Sequence, residues 1–113
     1  MRTAYYISDG TAITSEVFGH ALLSLFTIEF EHITVPFVET EEQAQQVVKK
    51  ISESFQDDGQ RPLVFYTIVN TEVRKIISKS VGINYNFLDQ FVAPLEIVLG
   101  VPSKPEKHRT HSI

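Results

Sequence analysis

The sequence predicts an α/β domain of three layers, in which helices cover both faces of a mostly parallel sheet of about four strands. Short apolar runs alternate along the chain with longer stretches whose apolar residues recur at helical spacing. Residues 62–69 are almost continuously apolar, which is typical of a central strand buried on both faces. Residues 31–35 instead alternate polar and apolar, which favours a position nearer an edge.

The first half of the chain predicts two strands and two helices. Residues 3–7 form an apolar, aromatic strand that ends at a Ser-Asp-Gly turn. A second strand covers residues 28–36. A capping box of Thr40 and Gln43 then starts a helix that runs to about Phe55. Between the two strands lies a helix over residues 13–26, whose inward face is predicted to be Ile13, Val17, Ala21, Leu22, Leu25 and Phe26.

The second half continues the alternation. After the central strand, Asn70 or Thr71 is expected to cap a third helix, which Gly82 closes. Residues 85–88 form a short strand, and residues 91–99 form a fourth helix that is kinked or started at Pro94. From Gly100 onward the chain is polar and contains two prolines, so residues 1–100 are predicted to be the domain and residues 101–113 a mobile linker or tail.

The composition excludes several classes of function. With 113 residues and a net charge of −4, the chain fits one acidic domain, and clustered basic residues for nucleic-acid binding are lacking. The sequence contains no Cys, so disulfide and thiol chemistry are excluded. Apolar runs are far shorter than the ~20 residues of a membrane span, and the amino terminus does not resemble a signal peptide. A cytoplasmic protein is therefore expected.

The turn after the first strand is the first candidate site. It contains Ser8, Asp9, Gly10 and Thr11, and Thr14 follows about one helical turn after Thr11. Amide groups at a helix start lack partners within the helix, and the helix dipole places partial positive charge there. The turn is therefore a candidate anion site, in which Gly10 allows the backbone to approach a ligand closely. The alternative is that Asp9 or Thr11 merely caps the helix.

Asp9 is the one carboxylate placed directly after a central strand. It could serve as a general base or bridge a metal ion, and it could equally be a cap. His20 and His32 fall on regular elements, where packing or surface roles are expected.

The second candidate site is the stretch of residues 108–111, which includes His108, Arg109 and His111. A His-x-x-His pair suggests a metal, but no third ligand is close in the sequence, so no metal site is predicted. An arginine between two histidines suits a phosphate instead. Neither G-x-x-x-x-G-K-[ST] nor G-x-G-x-x-G occurs in the chain, so it carries no recognisable nucleotide fingerprint.

Five stretches, taken together and in order, resemble the phosphoenolpyruvate synthetase regulatory proteins, relatives of the regulators of pyruvate, phosphate dikinase. They are YISDGTAIT at residues 6–14, ITVPFV at 33–38, RPLVFYT at 61–67, VAPL at 92–95 and HRTH at 108–111. The resemblance implies a bifunctional serine/threonine kinase and pyrophosphorylase. Such a protein uses ADP to phosphorylate a threonine of the synthetase, which inactivates it, and then removes that phosphate with inorganic phosphate, releasing pyrophosphate.

The resemblance also implies that a part of the protein is missing. Members of that family are much longer than 113 residues, and their P-loop-like nucleotide site lies in a C-terminal domain. The chain therefore resembles the N-terminal domain alone, with ADP and phosphate held mainly by the missing domain and no activity in the fragment. The turn at residues 8–14 and the stretch 108–111 are expected to contribute to a site shared with that domain.

Two other classes of function stay open. The chain could be a stand-alone module that binds a small anion or a nucleotide, or a protein-recognition domain without a ligand. The expected partner is phosphoenolpyruvate synthetase, with no nucleic acid and no membrane, and assembly into a homo-oligomer stays open. A reading frame that continues past Ile113 into a P-loop would favour the regulatory protein, whereas anion binding would separate the other two classes.

Overall fold

The computed structural model describes residues 1–103, and these form one four-stranded, wholly parallel sheet with helices between the strands. The strands are Arg2–Ser8 (β1), Phe30–Val35 (β2), Leu63–Thr67 (β3) and Ile83–Asn86 (β4). The helices are Ile13–Leu23 (α1), Glu41–Asp58 (α2), Thr71–Ser78 (α3) and Phe87–Leu99 (α4). The predicted three-layer α/β/α class is confirmed.

The strand order is β2-β1-β3-β4, which places β1 and β3 in the centre and β2 at an edge. Central β1 pairs with both neighbours, with Tyr5 opposite Ile33 on one side and Val64 on the other. Both sequence predictions about strand position are therefore confirmed. β2 begins at Phe30, two residues later than predicted, and β4 ends before Phe87 rather than at Leu88.

The two faces of the sheet carry separate cores, because successive side chains of a strand point to opposite faces. One core contains Tyr5, Ile7, Val64 and Tyr66 and is covered by α2 and α3. The other contains Ala4, Tyr6 and Phe65, together with Leu23 of α1 and Phe87 of α4. The domain is therefore two packed interfaces that share one sheet.

Helix α2 follows the sequence prediction closely. The Thr40 hydroxyl accepts a hydrogen bond from the Gln43 amide at 3.2 Å, and the Gln43 side chain accepts one from the Thr40 amide at 3.1 Å, so the capping box is confirmed. The spacing predicts an inward face of Ala44, Val47, Val48, Ile51 and Phe55. Ala44, Val47 and Ile51 are buried and Val48 is partly buried, but Phe55, in the last turn, is exposed. The helix continues past Phe55 to Asp58, and its C-cap is Gly59, whose φ of 72° is easily adopted by glycine.

The prediction for α1 is wrong about which face is buried. The helix ends at Leu23 rather than Phe26, and its buried residues are Ser15, Gly19 and Leu23. A Cβ at position 19 would lie only 2.3 Å from Cε1 of Tyr6, so the helix can approach the sheet only because this residue is glycine. The small residues therefore face the sheet, and the residues expected to be inside lie exposed: Ile13, Val17, Ala21, Leu22, Leu25 and Phe26.

Two boundaries in the second half also differ from the prediction. Asn70 does cap α3, accepting from the Val73 amide at 3.1 Å, but the C-cap is Lys79 and not Gly82. Gly82 instead packs against the sheet, where an added Cβ would lie 2.5 Å from Cγ2 of Val64. Pro94 lies inside α4 and does not start it, because Phe87 is the first residue of that helix.

None of the helices within residues 1–103 is long and apolar enough to cross a membrane. Residues 104–113, which make up most of the predicted linker, lie outside the described range. The prediction of a mobile tail and the domain boundary at residue 100 stay predictions.

Candidate functional site

The candidate site lies at the carboxyl edge of the sheet, between neighbouring strands β1 and β3. From β1 the chain crosses through α1 to β2, on one side, whereas from β3 it crosses through α3 to β4, on the other. Such a reversal of strand order opens a crevice where parallel α/β sheets bind ligands. Residues 8–11 follow β1 and residues 68–70 follow β3, so the predicted turn borders this crevice.

Asp9 bridges the crevice. The side chain is buried, and its Oδ2 accepts hydrogen bonds from the amides of Val69 at 3.1 Å and Asn70 at 3.2 Å. Asp9 therefore does not cap α1. It stabilises the start of α3, and two amides partly compensate its charge within the crevice.

The turn itself is held against the loop after β2. The Ser8 carbonyl accepts from the Val38 amide at 2.9 Å, and the Gly10 carbonyl accepts from the Phe37 amide at 2.8 Å. The Gly10 amide donates to Ser8 Oγ at 2.9 Å, so this amide is already used and does not face a ligand freely. The left-handed backbone of the turn belongs to Ala12, with φ of 67°, and not to Gly10.

Ala12 is the N-cap of α1, and it supplies no side-chain cap. Thr11 Oγ1 accepts only a long hydrogen bond from the Ile13 amide, at 3.4 Å. The next amides of the first turn, those of Thr14 and Ser15, have no acceptor within the helix. The helix start therefore presents partial positive charge beside two exposed threonines, Thr11 and Thr14.

Behind this helix start lies a pair of hydroxyls, one buried and one partly buried. Ser15 is fully buried, and its Oγ donates to the Ile7 carbonyl at 3.2 Å. The same Oγ lies 2.9 Å from Oγ1 of Thr67, the last residue of β3. Ser15 therefore contacts both central strands. This pair fixes the height of α1 over the crevice and was not found in the sequence analysis. The sequence signal for it was the spacing of four between Ser15 and Gly19, two small residues on one helix face.

Comparison with known proteins gives the family of the chain. Residues 4–113 match the model of the family described as kinase/pyrophosphorylase. The chain belongs to the kinase/pyrophosphorylase family. The match includes every residue of the turn and of the stretch 108–111.

Curated relatives of this kinase/pyrophosphorylase chain are named "Putative phosphoenolpyruvate synthase regulatory protein". One from Pseudoalteromonas atlantica is 99% identical over all 113 residues, which make up 42% of that relative. One from Alteromonas mediterranea is 84% identical over the same span. One from Shewanella amazonensis is 59% identical over 110 residues, 97% of this chain and 41% of the relative. The chain thus spans about two fifths of the length of these relatives.

The structure brings together five of the predicted site residues of the kinase/pyrophosphorylase chain. Ser8, Asp9, Gly10, Thr11 and Thr14 all lie at the β1–α1 junction. The other three, His108, Arg109 and His111, lie outside the described residues. Within residues 1–103, no group of three or more His, Asp or Glu side chains is placed to hold a metal ion.

A cluster of aromatic and imidazole rings lies under α1, away from the crevice. The buried Tyr6 hydroxyl lies 2.7 Å from Nδ1 of His32, and the Tyr6 ring stacks on His20 with centroids 4.8 Å apart. The imidazoles of His20 and His32 stack at 4.2 Å. Both histidines are exposed and stack on neighbouring rings, which agrees with the expected packing or surface roles, but their contact with each other was not predicted.

The surroundings of Tyr6 and His32 favour the uncharged form of each side chain. Burial, with a smaller effect of the Glu16 carboxylate, raises the pKa of Tyr6 to about 12. Burial lowers the pKa of His32, and the neighbouring His20 lowers it further because two adjacent imidazolium charges repel. The stacked rings of Tyr6, His20 and His32 join α1 and β2 to β1.

Proposed function

We propose that this chain is the N-terminal domain of a bifunctional regulator of phosphoenolpyruvate synthase. The observation that carries the proposal is the family match over residues 4–113, together with relatives named for regulation of that enzyme. The family description itself pairs a kinase with a pyrophosphorylase activity. We expect the protein to act in the cytoplasm, where its target enzyme works.

The proposed reactions of the longer protein form a balanced cycle. In the kinase direction, a threonine hydroxyl of the synthase takes the β-phosphoryl group of ADP, so a P–O bond of ADP breaks, AMP leaves and the hydroxyl proton is released. In the return direction, inorganic phosphate attacks the phosphothreonine phosphorus. Pyrophosphate leaves and the threonine hydroxyl is restored. The first step inactivates the synthase and the second reactivates it.

The described domain is expected to have no transfer activity alone. Phosphoryl transfer needs positive groups around the transferred phosphate, commonly a P-loop with its lysine. The 113 residues contain no such motif, and the turn at the crevice carries one charged side chain, the Asp9 carboxylate. ADP and inorganic phosphate are therefore proposed to bind mainly in the remainder of the longer protein.

The crevice is proposed to assist by holding a phosphate or the target threonine. Support comes from the start of α1, which lacks a side-chain cap, and from the exposed hydroxyls of Thr11 and Thr14. Asp9, which would otherwise repel an anion, is engaged by two amides. His108, Arg109 and His111 are proposed to bring positive charge to the same phosphate.

The function is tested with the relative from Pseudoalteromonas atlantica, which is 99% identical over these residues and carries the remaining length. Incubation with purified synthase and ADP should yield phosphothreonine on the synthase, AMP, and loss of synthase activity. Addition of inorganic phosphate should restore the activity and release pyrophosphate. If the synthase gains no phosphate under these conditions, the proposal is wrong.

A second candidate function is protein recognition without chemistry. It is favoured by the exposed apolar side chains of α1 and α4, because a contiguous apolar patch often marks a protein-interaction site. Direct binding of the synthase by this chain, with no effect of phosphate on the affinity, would support this second function over an anion site.

A further inference from the structure

One side of the domain carries a large exposed apolar surface. Helices α1 and α4 lie on the same face of the sheet without closing over it, and the groove between them has a volume of about 440 Å³. Its floor contains Phe65 and Phe87. We define the α1–α4 surface as six side chains, all exposed by more than a third: Phe18, Leu22, Phe26, Phe91, Leu95 and Val98.

Helix α4 shows that this surface needs a cover. Phe87, its first residue, is buried, but Leu95 and Val98 are 52% and 79% exposed. A helix of 13 residues has marginal stability in water unless it packs against other elements, and the interior Pro94 removes one hydrogen bond as well. A helix that is apolar nearly all round is normally buried on more than one side.

Helix α1 leads to the same conclusion from its sequence. The face toward the sheet contains Ser15 and Gly19, whereas the outer side contains Val17, Leu22 and, beyond the helix end, Phe26. The larger apolar residues therefore lie away from the core of this domain. Since burying apolar area is the main favourable term in folding, this distribution indicates a second packing partner.

We infer that the α1–α4 surface is covered by the part of the longer protein that follows residue 113. This inference rests on the proposed function, in which the chain is an N-terminal domain. More than half of the length of each curated relative lies outside the matched part. A segment of that length can supply a whole second domain with its own apolar face.

The path of the chain after α4 favours a cover from the same chain over one from a separate protein. Gly100 ends the helix with φ of 70°, which lets the backbone turn. The Ser103 amide then donates to Oε2 of Glu96 at 2.7 Å, so the chain runs back beside the last turn of α4 instead of continuing along its axis. This hydrogen bond also lowers the pKa of Glu96.

A tethered segment has an effective concentration near millimolar, far above that of a second copy in dilute solution. The contact should be mainly apolar, because the side chains that line the groove are aliphatic or aromatic apart from Gln90, and Tyr85 adds a single hydroxyl. Cover of α1 along Val17 and Leu22 also places the added domain close to Thr14, at the start of the same helix. The docked domain would therefore complete the crevice, which explains why this part alone lacks a phosphate cradle.

Hydrogen exchange measures this cover directly. The 113-residue chain is compared with the longer relative from Pseudoalteromonas atlantica at the same concentration. Amides of α4 should exchange at least tenfold more slowly in the longer protein, whereas those of α2, on the opposite face, should be unchanged. Equal exchange of α4 in both proteins would overturn the inference. Protection that arises in the short chain merely on raising its concentration would assign the surface to a second copy and overturn it too.

Charged substitutions separate docking from folding. In the longer protein, Leu95→Glu with Val98→Glu should restore fast exchange in α4, while Gln45→Glu on the exposed side of α2 serves as the matched control. The same pair of substitutions should leave the unfolding midpoint of the 113-residue chain unchanged, because both side chains are exposed there. If the pair leaves α4 protected in the longer protein, the surface is not the docking site. The readout needs no kinase activity, so it can fail or succeed independently of the proposed function.

Discussion

The carboxylate of Asp9 accepts a hydrogen bond from the amide of Asn70 at 3.2 Å, joining the end of one central strand to the helix that follows the other. Sixty-one positions separate the two residues. The carboxylate therefore closes the crevice between β1 and β3 and also fixes the residue that caps α3. This contact makes the candidate site part of the framework of the domain.

Removal of this carboxylate should destabilise the domain. Asp9→Ala leaves the Val69 and Asn70 amides without their acceptor, at a cost of about 1.5–3 kcal/mol in the free energy of unfolding. Urea denaturation followed by circular dichroism measures the change. Asp57→Ala, at an exposed position of α2, should change the free energy by less than about 0.5 kcal/mol. A loss for Asp9→Ala no larger than for this control would contradict the structural role.

The close contact of Gly19 with Tyr6 gives a prediction opposite to helix propensity. Gly19→Ala should favour an isolated helix by about 1 kcal/mol. In the domain, however, the new Cβ would lie 2.3 Å from Cε1 of Tyr6, and overpacking of this kind costs about 1–3 kcal/mol. We therefore expect no gain, or a net loss, in thermal stability. Thr14→Ala at an exposed position of the same helix is the control and should be neutral or slightly stabilising. A clear gain for Gly19→Ala would show that α1 packs differently.

The stacked histidines predict a loss of stability in mild acid. The folded-state pKa of His32 lies below 6.5, so the unfolded chain binds a proton more readily. The stabilising contribution is complete above pH 6.5 and is lost as the pH falls from there through the folded-state pKa. His32→Gln should make the free energy of unfolding less dependent on pH in this window, as measured by urea denaturation at several pH values.

A second titration tests the cause of that shift. His20→Gln removes the neighbouring imidazole, so the pKa of His32 should rise toward its ordinary value when followed by NMR. An unchanged pKa would leave burial as the sole cause.

The start of α1 should bind phosphate weakly. Millimolar affinity, about −4 kcal/mol, is expected, because the free amides of the first turn act without a nearby cation. NMR titration with phosphate should shift the amides of Thr14 and Ser15, while the Gly10 amide, which donates to Ser8 Oγ, should move less. Gly10→Val is expected to abolish the shifts by displacing the turn. If phosphate leaves the resonances of the first-turn amides unchanged while it shifts those of other amides, the turn serves folding alone.

Much of the fold follows from local patterns in the sequence. Uniform apolarity identified β3 as central, alternation identified β2 as an edge strand, and the Thr40–Gln43 pair identified the start of α2. These features depend on residues that are neighbours along one element. The buried face of α1 was missed because the largest apolar residues were assumed to face the sheet. That assumption fails here because the Tyr6 ring fills the space under Gly19.

The site was predictable in place but not in detail. A turn that follows a central parallel strand lies at the carboxyl edge of the sheet, where ligands bind, whatever its side chains are. The position of residues 8–11 could therefore be predicted from the sequence. Asp9 is bonded to the loop after β3 and Ser15 to the last residue of β3, at separations of 52 to 61 positions, and no local pattern reveals such pairs. The exposed apolar faces of α1 and α4 were not predicted either, because no other element within residues 1–103 covers them.

We propose that residues 1–113 are one domain of a regulator and that its chemistry needs the rest of the longer protein. The decisive measurement is the amount of phosphothreonine formed on purified synthase. Mass spectrometry after incubation with ADP would compare the longer Pseudoalteromonas relative, the 113-residue chain and a sample without either protein. We expect phosphothreonine with the longer relative and none above background with the chain alone. Phosphothreonine produced by the chain alone, or its absence with the longer relative, would show that the proposed division of function is wrong.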